Sequence, residues 1–160
     1  MNKERILQHI VKKLSGDLDL LLQAAKTAHQ ASTHEENVPD NKYATLALEA
    51  SYIAQAQANR AQEIRCALEA YRKLPLLDFP DDAPIRLSAL VTLEDGDGNR
   101  KTLFIGPQSG GLKVEKGGGE IVVITPDSPV GRELLGKEAG DVVEMRSGAS
   151  KREWEIVEVR

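Results

Sequence analysis

Three carboxylates, Glu35, Glu36 and Asp40, cluster in a predicted turn over residues 33–40, between two long helical segments. Magnesium prefers oxygen ligands and commonly takes only one or two protein carboxylates, with water and phosphate oxygens completing its shell. These side chains could therefore help hold a magnesium ion whose other ligands belong to a partner. The alternative is an ordinary solvated turn, and the sequence leaves both interpretations open. We call residues 33–40 the acidic turn.

Three other patterns resemble chemical motifs but lack a required residue. Residues 131–138 have the spacing of a phosphate-binding loop, yet a glutamate ends the run where a magnesium-binding hydroxyl is needed. Residues 95–99 imitate the start of a calcium loop, but Arg100 replaces the glycine of its sharp turn. His29 and His34 are five residues apart, whereas the histidines of a zinc-protease helix are four apart. The sequence thus predicts no cofactor of the chain's own.

The two helical segments, residues 3–33 and 41–74, each carry a stripe of apolar or small residues at alternating spacings of four and three, as in a coiled coil. The first stripe comprises Leu7, Val11, Leu14, Leu18, Leu21, Ala25, Ala28 and Ser32. The second comprises Leu46, Ala50, Ala54, Gln57, Ala61, Ile64, Leu68 and Tyr71. Folded back on each other, residues 1–74 are predicted to form an antiparallel finger roughly 45 Å long. Its seam residues become smaller toward the acidic turn, which predicts a tapered tip.

The remaining sequence predicts a linker and a small sheet. Three prolines interrupt residues 75–84, so this segment cannot continue the helix. Strand patterns follow at residues 86–94, 101–105, 111–115, 120–124, 142–146 and 154–159. Ser128 and Pro129 have the cap and first-turn positions of a short helix that ends near Gly136. Residues 85–160 are therefore predicted to form an antiparallel sheet with one helix, and the chain an α+β protein.

Composition excludes several classes of protein. The 160 residues carry a formal charge of −4, distributed as +1 on residues 1–74 and −5 on residues 75–160. This is not the basic balance of a stand-alone nucleic-acid binder. Cys66 is the only cysteine, so no internal disulfide forms, and we expect it to be a packing residue. Because no apolar run reaches the ~20 residues of a membrane span and the N-terminal residues lack a signal-peptide core, we expect a soluble, cytoplasmic monomer.

The run from Ile124 to Val143 resembles the signature of the bacterial Gre (GreA/GreB) transcription elongation factor family, which reads SP…R.L.GK..GD.V. The order of finger, acidic turn, linker and small sheet also resembles that family. The similarity covers essentially the whole chain in architecture and is sharp over residues 120–160. The resemblance implies that the C-terminal domain is FKBP-like.

The resemblance further implies a function in transcription. Gre factors dock their C-terminal domain beside the secondary channel of RNA polymerase, and their coiled coil enters that channel. Acids at the tip bind the second magnesium ion, which is used for hydrolysis of backtracked RNA. By resemblance, Asp127, Ser128 and Pro129 contact the polymerase, and Glu36-Asn37 corresponds to the family's tip pair. Such a protein is no enzyme by itself, shares its magnesium with the polymerase and meets nucleic acid only through the transcription complex.

The acidic turn departs from the family pattern at one position. The family's tip aspartate lies three residues before the matching glutamate, and this chain has Thr33 there. Glu35 or Asp40 would have to replace it, so Glu36, Asp40 and Glu35 are the candidate cleavage residues. A regulator that occupies the channel without stimulating cleavage is therefore the alternative within the same family.

Two functions from other classes have less support in the residues. A coiled-coil chaperone or adaptor predicts exposed apolar residues at the tip, where the acidic turn offers only Val38 and Pro39. A peptidyl-prolyl isomerase, suggested by the FKBP-like fold, needs an aromatic-lined pocket. Residues 85–160 contain only two aromatic residues, Phe104 and Trp154.

Overall fold

The computed structural model describes residues 2–35 and 41–160, without the side chains of residues 31–35, 41–47 and 116. Two of the three candidate cleavage residues, Glu36 and Asp40, lie outside the described residues. Glu35 is described only as the last residue of a helix. The role predicted for these three acids therefore stays a prediction.

Two long helices begin the chain, as the stripes of apolar residues predicted. α1 covers Lys3–Glu35 and α2 covers Asn41–Arg72. α2 stops two residues before the predicted end, because a residue that precedes proline is disfavoured in the helical conformation. The N–H of Leu74 instead donates to the carbonyl oxygen of Tyr71 at 3.3 Å and closes a turn.

The chain divides into two compact units. We call Val11–Glu69 the hairpin unit, and Met1–Ile10 together with Ala70–Arg160 the sheet unit. α1 and α2 each contribute residues to both units. Within the described ranges, no helix combines the length and the apolar character needed to cross a membrane.

The hairpin unit buries its predicted seam unequally along its length. Leu14, Ala61 and Ile64 are at most 3% exposed. Seam residues nearer the acidic turn are only half-buried, and these are Leu18, Leu21, Ala25, Ala28, Ala50 and Ala54. Four of these six are alanines, which remove less surface from water than leucine or isoleucine. Cys66 is exposed and lies off the seam, so the prediction that it is a packing residue is wrong.

In the described part of the sheet unit, six strands form one sheet. They are β1 Leu90–Asp95, β2 Arg100–Ile105, β3 Lys113–Lys116, β4 Gly119–Ile124, β5 Val142–Ser147 and β6 Ser150–Val159. Their spatial order is β3-β4-β2-β1-β6-β5. A short helix, α3 (Pro129–Leu134), follows β4. The predicted α+β class is confirmed.

The sheet is mixed, because β2 and β4 pair in parallel. The remaining strand pairs are antiparallel, including the predicted β3–β4 hairpin. β4 lies next to β2, and β3 takes the outer position. Turn residues determine the pairing inside a hairpin but not which of its two strands adjoins the rest of the sheet. The single parallel pair could therefore not be predicted from the turn signals.

The residues before β1 form a turn where the sequence predicted the start of a strand. Ser88 is fully buried with φ of 72°. Its N–H donates to the carbonyl oxygen of Ile105 at 2.9 Å, and its hydroxyl accepts the N–H of Leu77 at 3.0 Å. Its carbonyl oxygen accepts a hydrogen bond from the ammonium of Lys3 at 3.3 Å. These tertiary contacts hold residues 86–89 in a turn, where the sequence predicted an extended strand.

α3 packs on one face of the sheet and completes the main core. Leu134 is fully buried there beside the only tryptophan, Trp154, which is 3% exposed. The other members include Ile85, Val91, Leu93, Leu103, Ile105, Val143 and Ile156. This core fixes α3 on the sheet, and the residues that the sequence singled out lie at the start of α3 and just before it.

Candidate functional site

The loop before α3 is closed by its own serine. The Ser128 hydroxyl accepts the N–H of Gly131 at 3.0 Å and donates to the carbonyl oxygen of Thr125 at 2.7 Å. Ser128 is thus the N-cap of α3, as predicted, and Pro129 occupies the first turn. A capped helix start with a proline of fixed φ is a rigid element.

Gly131 lets α3 approach the preceding loop. A Cβ at this position would overlap the carbonyl oxygen of Thr125, and the two nearest atoms are backbone atoms that cannot move aside cheaply. Gly131 is also buried. Glycine is therefore required here for close approach of two backbone segments.

The second half of the signature ties the end of α3 to the segment that precedes β1. Gly136 ends the helix with φ of 80°, and its N–H donates to the carbonyl oxygen of Ile85 at 2.9 Å. The N–H of Ile85 in turn donates to the carbonyl oxygen of Lys137 at 2.8 Å. Further along, the Asp141 carboxylate accepts the N–H of Glu138 at 2.8 Å. Most of the signature residues thus have a role in the fold.

Three residues of the signature segment present their side chains at the surface. Asp127, Pro129 and Arg132 are exposed. Among the described residues, the side chains of Asp127 and Arg132 have no hydrogen-bond or ion-pair partner. They lie at the rigid start of α3, where an exposed carboxylate, a proline ring and a guanidinium occur within six residues. We call these three residues the α3 surface.

The α3 surface overlaps the segment that the resemblance implied as polymerase-binding, and that binding role stays a prediction. Of Asp127, Ser128 and Pro129, the first and third are available to a partner, whereas the Ser128 hydroxyl is already used for capping. Arg132 was not among the predicted binding residues. The signal for it was present in the sequence, because the signature itself contains this arginine.

The run that imitates a calcium loop is a closed turn, as the sequence predicted. The Asp95 carboxylate accepts the N–H groups of Asp97 and Asn99 at 2.9 Å each, the Asn99 side-chain amide at 2.9 Å, and the Arg152 guanidinium at 3.0 Å. Hydrogen bonding from the Asn99 side chain, with backbone donors and Arg152 adding to it, lowers the pKa of Asp95. Among the described residues, no three carboxylate, histidine or cysteine side chains are arranged to hold a metal ion.

Sequence comparison defines the class of protein to which this fold and signature belong. Residues 81–160 match the family model described as transcription elongation factor, GreA/GreB, C-terminal region. The chain therefore belongs to the GreA/GreB family of transcription elongation factors.

Individual relatives show how far the similarity extends. The transcription elongation factor GreA of Alkalilimnicola ehrlichii is 24% identical over 159 residues, covering 98% of this chain and 92% of that protein. GreA of Bartonella henselae is 32% identical over 78 residues, covering 48% of this chain and 45% of that protein. Among solved structures, GreA factor homolog 1 of Thermus thermophilus aligns over 94% of both chains at 19% identity, with a TM-score of 0.41.

Proposed function

We propose that this protein binds RNA polymerase through the α3 surface, presents the acidic turn to the polymerase active site by way of the secondary channel, and stimulates cleavage of backtracked RNA. The observation that carries the proposal is the pair of charged side chains, Asp127 and Arg132, that are exposed at α3 and have no partner among the described residues. Asp127, Pro129 and Arg132 are exposed at a helix start that the Ser128 cap and the close approach of Gly131 to Thr125 hold rigid.

The α3 surface has properties suited to recognition of a protein partner. Its two charged side chains are not neutralised by neighbours within the described residues, so their charges are available to a partner of complementary sign. Because α3 is preorganised by its cap and by Gly131, little conformational entropy is lost when this surface is covered.

The hairpin unit has exposed apolar side chains that would be covered in a complex. Leu48 and Tyr52 are one turn apart on α2 and are 54% and 68% exposed. Large exposed apolar residues on one face of an element are typical of surfaces that contact another macromolecule. This supports the proposal that the hairpin unit enters a protein environment when the protein acts.

The acidic turn would supply carboxylates to the magnesium ion of the polymerase active site. Glu36 and Asp40, with Glu35 as the third candidate, have the oxygen donors that magnesium prefers. A bound magnesium ion lowers the pKa of a coordinated water and orients it for attack. In this proposal the protein has no catalytic activity alone and activates the cleavage activity of the polymerase.

A regulator that occupies the channel without stimulating cleavage is the second candidate. The specific observation in its favour is Thr33, which stands where the family pattern has an aspartate. Both candidates use the same α3 surface and differ only in the chemistry of the acidic turn.

The two candidates are separated by a backtracked elongation complex that carries end-labelled RNA. Wild-type protein should produce shortened RNA, whereas Glu36→Gln and Asp40→Asn should bind with unchanged affinity and yield little product. These amides preserve shape and remove charge. Binding without shortened RNA at any magnesium concentration would select the occupying regulator. An absence of binding would contradict both candidates.

A further inference from the structure

The tightly packed part of the hairpin unit ends partway along both helices. Leu14 on α1 and Ala61 on α2 are 3% and 2% exposed. Beyond them, toward the acidic turn, residues 15–30 and 48–60 contain no buried side chain. We call these two ranges the outer segment, and residues 11–14 and 61–69 the inner segment. The helices therefore remove less apolar surface from water in the outer segment than in the inner one.

The boundary between the two segments also has an unfavourable residue on each helix. Gln57, which precedes Ala61 by about one turn, has a buried side-chain oxygen with no hydrogen-bond partner among the described residues. An unpaired buried acceptor destabilises the packing that buries it. Gly16, just after Leu14, is exposed and has the lowest helix propensity of any residue type except proline. Each helix is therefore destabilised close to the point where its tight packing ends.

The larger apolar side chains of the outer segment do not compensate for these two residues. Several of them point away from the seam and are between 41% and 68% exposed, and these are Leu20, Leu22, Leu48, Tyr52 and Ile53. A side chain that is already in water adds little to the free energy that separates the closed hairpin from an opened one. Helices as short as residues 15–30 and 48–60 are marginal in water without tertiary packing. Opening of the outer segment should therefore require little free energy.

We infer that the outer segment opens as a separate cooperative unit, while the inner segment and the sheet unit stay folded. In the closed form the two helices pack along the seam. In the open form this packing is lost, together with the helical hydrogen bonds of residues 15–30 and 48–60. Water can then donate to the side-chain oxygen of Gln57, so this residue favours the open form. The opening is a property of the protein alone and does not depend on binding to a polymerase.

A separately opening segment gives the hairpin unit an adaptable end. Segments of low local stability can rearrange when a partner covers them, and the rest of the protein stays folded. The exposed Leu48 and Tyr52 lie in the outer segment, so the opening repositions the apolar side chains that a partner would meet first. A partner that binds only the closed form reduces the population of the open form by mass action.

Native-state hydrogen exchange of the full chain, followed amide by amide by NMR, tests the separate opening. Amides whose helical acceptors also lie in the outer segment, at residues 19–30 and 52–60, should exchange about tenfold faster or more than those at residues 11–14 and 65–69. Their exchange should also depend less on low denaturant concentrations, because opening of one segment exposes less surface than global unfolding. Equal protection of both sets would overturn the inference. A gradual rise in protection from the acidic turn, without a step near Gly16 and Gln57, would overturn it as well.

Two substitutions then separate the segments. Gln57→Leu should slow exchange of the outer amides about tenfold, whereas Gln55→Leu, the matched control on the exposed side of α2, should leave it unchanged. Ile64 is 3% exposed in the inner segment, so Ile64→Val should speed exchange of the inner amides about threefold or more. The outer amides should not respond to Ile64→Val, because they exchange while the inner segment is still folded.

The outcome of Ile64→Val decides the inference even if Gln57→Leu does not fold. Equal acceleration of inner and outer amides in Ile64→Val would show that the hairpin unit opens as a whole, and the inference would be wrong. Unchanged exchange of the outer amides in a folded Gln57→Leu would contradict the role of this side chain in the opening.

Discussion

Tyr71 and Gly106 are in such close contact that a Cβ at residue 106 would overlap the tyrosine hydroxyl. The Tyr71 ring is fully buried, and its hydroxyl donates to the carbonyl oxygen of Gln108 at 2.6 Å. Burial raises the pKa of Tyr71, so the hydroxyl keeps its proton and remains a donor. The last turn of α2 is thereby attached to the segment that follows β2 within the sheet unit.

The contact predicts that Gly106→Ala destabilises the protein. The added methyl group meets both the Tyr71 hydroxyl and the Val123 side chain, and overpacking of this kind costs about 1–3 kcal/mol. Denaturant unfolding measures the change. Gly96→Ala is the matched control, because nothing lies within 4 Å of its Cβ position. Equal stability of the two variants would contradict the described contact.

A second prediction concerns Gln57, the polar residue of the α2 seam. Its side-chain oxygen is buried and has no hydrogen-bond partner among the described residues. An unpaired buried acceptor costs about 1–3 kcal/mol, so Gln57→Leu should raise the melting temperature of the helical signal in circular dichroism. Gln55→Leu is the matched control and should have little effect, because Gln55 is exposed and its hydrogen bond to Asn59 lies in water. A lower melting temperature for Gln57→Leu would show that this side chain is paired in solution.

The third prediction is a pH dependence at Asp95. Its pKa is lowered in the folded protein, and an unfolded aspartate has a pKa of about 3.9. The Asp95 carboxylate therefore makes its full contribution to the free energy of unfolding above the unfolded-state pKa. This contribution is lost as the pH falls through the lower pKa of the folded protein. Asp95→Asn should be less stable than wild type at neutral pH, with a difference that shrinks in acid. Denaturant unfolding between pH 7 and 2 measures this.

Asp97→Asn serves as the control for that series, because only the backbone of Asp97 takes part in the turn. Its stability should parallel that of wild type at every pH. A constant difference between Asp95→Asn and wild type across the range would show that the Asp95 carboxylate does not titrate as described.

The sequence predicted the parts of the fold that depend on local pattern. The stripes around Leu14 and Ile64 predicted the helices, and Ser128, Pro129 and Gly136 predicted α3, because periodicity and capping act over a few residues. The turn at Ser88 was missed because it depends on contacts with Lys3 and Leu77, which are distant in the chain.

The candidate site was predicted only in part, for a related reason. The signature located the segment around α3, but a signature does not separate residues needed for folding from residues available to a partner. That separation required the hydrogen bonds of Ser128 and the close approach of Gly131, beside which Asp127 and Arg132 are exposed and have no partner among the described residues.

The measurement that tests the central claim most directly is the affinity of RNA polymerase for Asp127→Arg. Reversing the charge of the unpaired Asp127 carboxylate should weaken binding about tenfold, because the new positive charge would face a partner surface of the same sign. The melting temperature should not change. Asp97→Arg, on the exposed turn between β1 and β2, should bind like wild type. Undiminished affinity of a correctly folded Asp127→Arg would contradict the proposal that the α3 surface binds the polymerase.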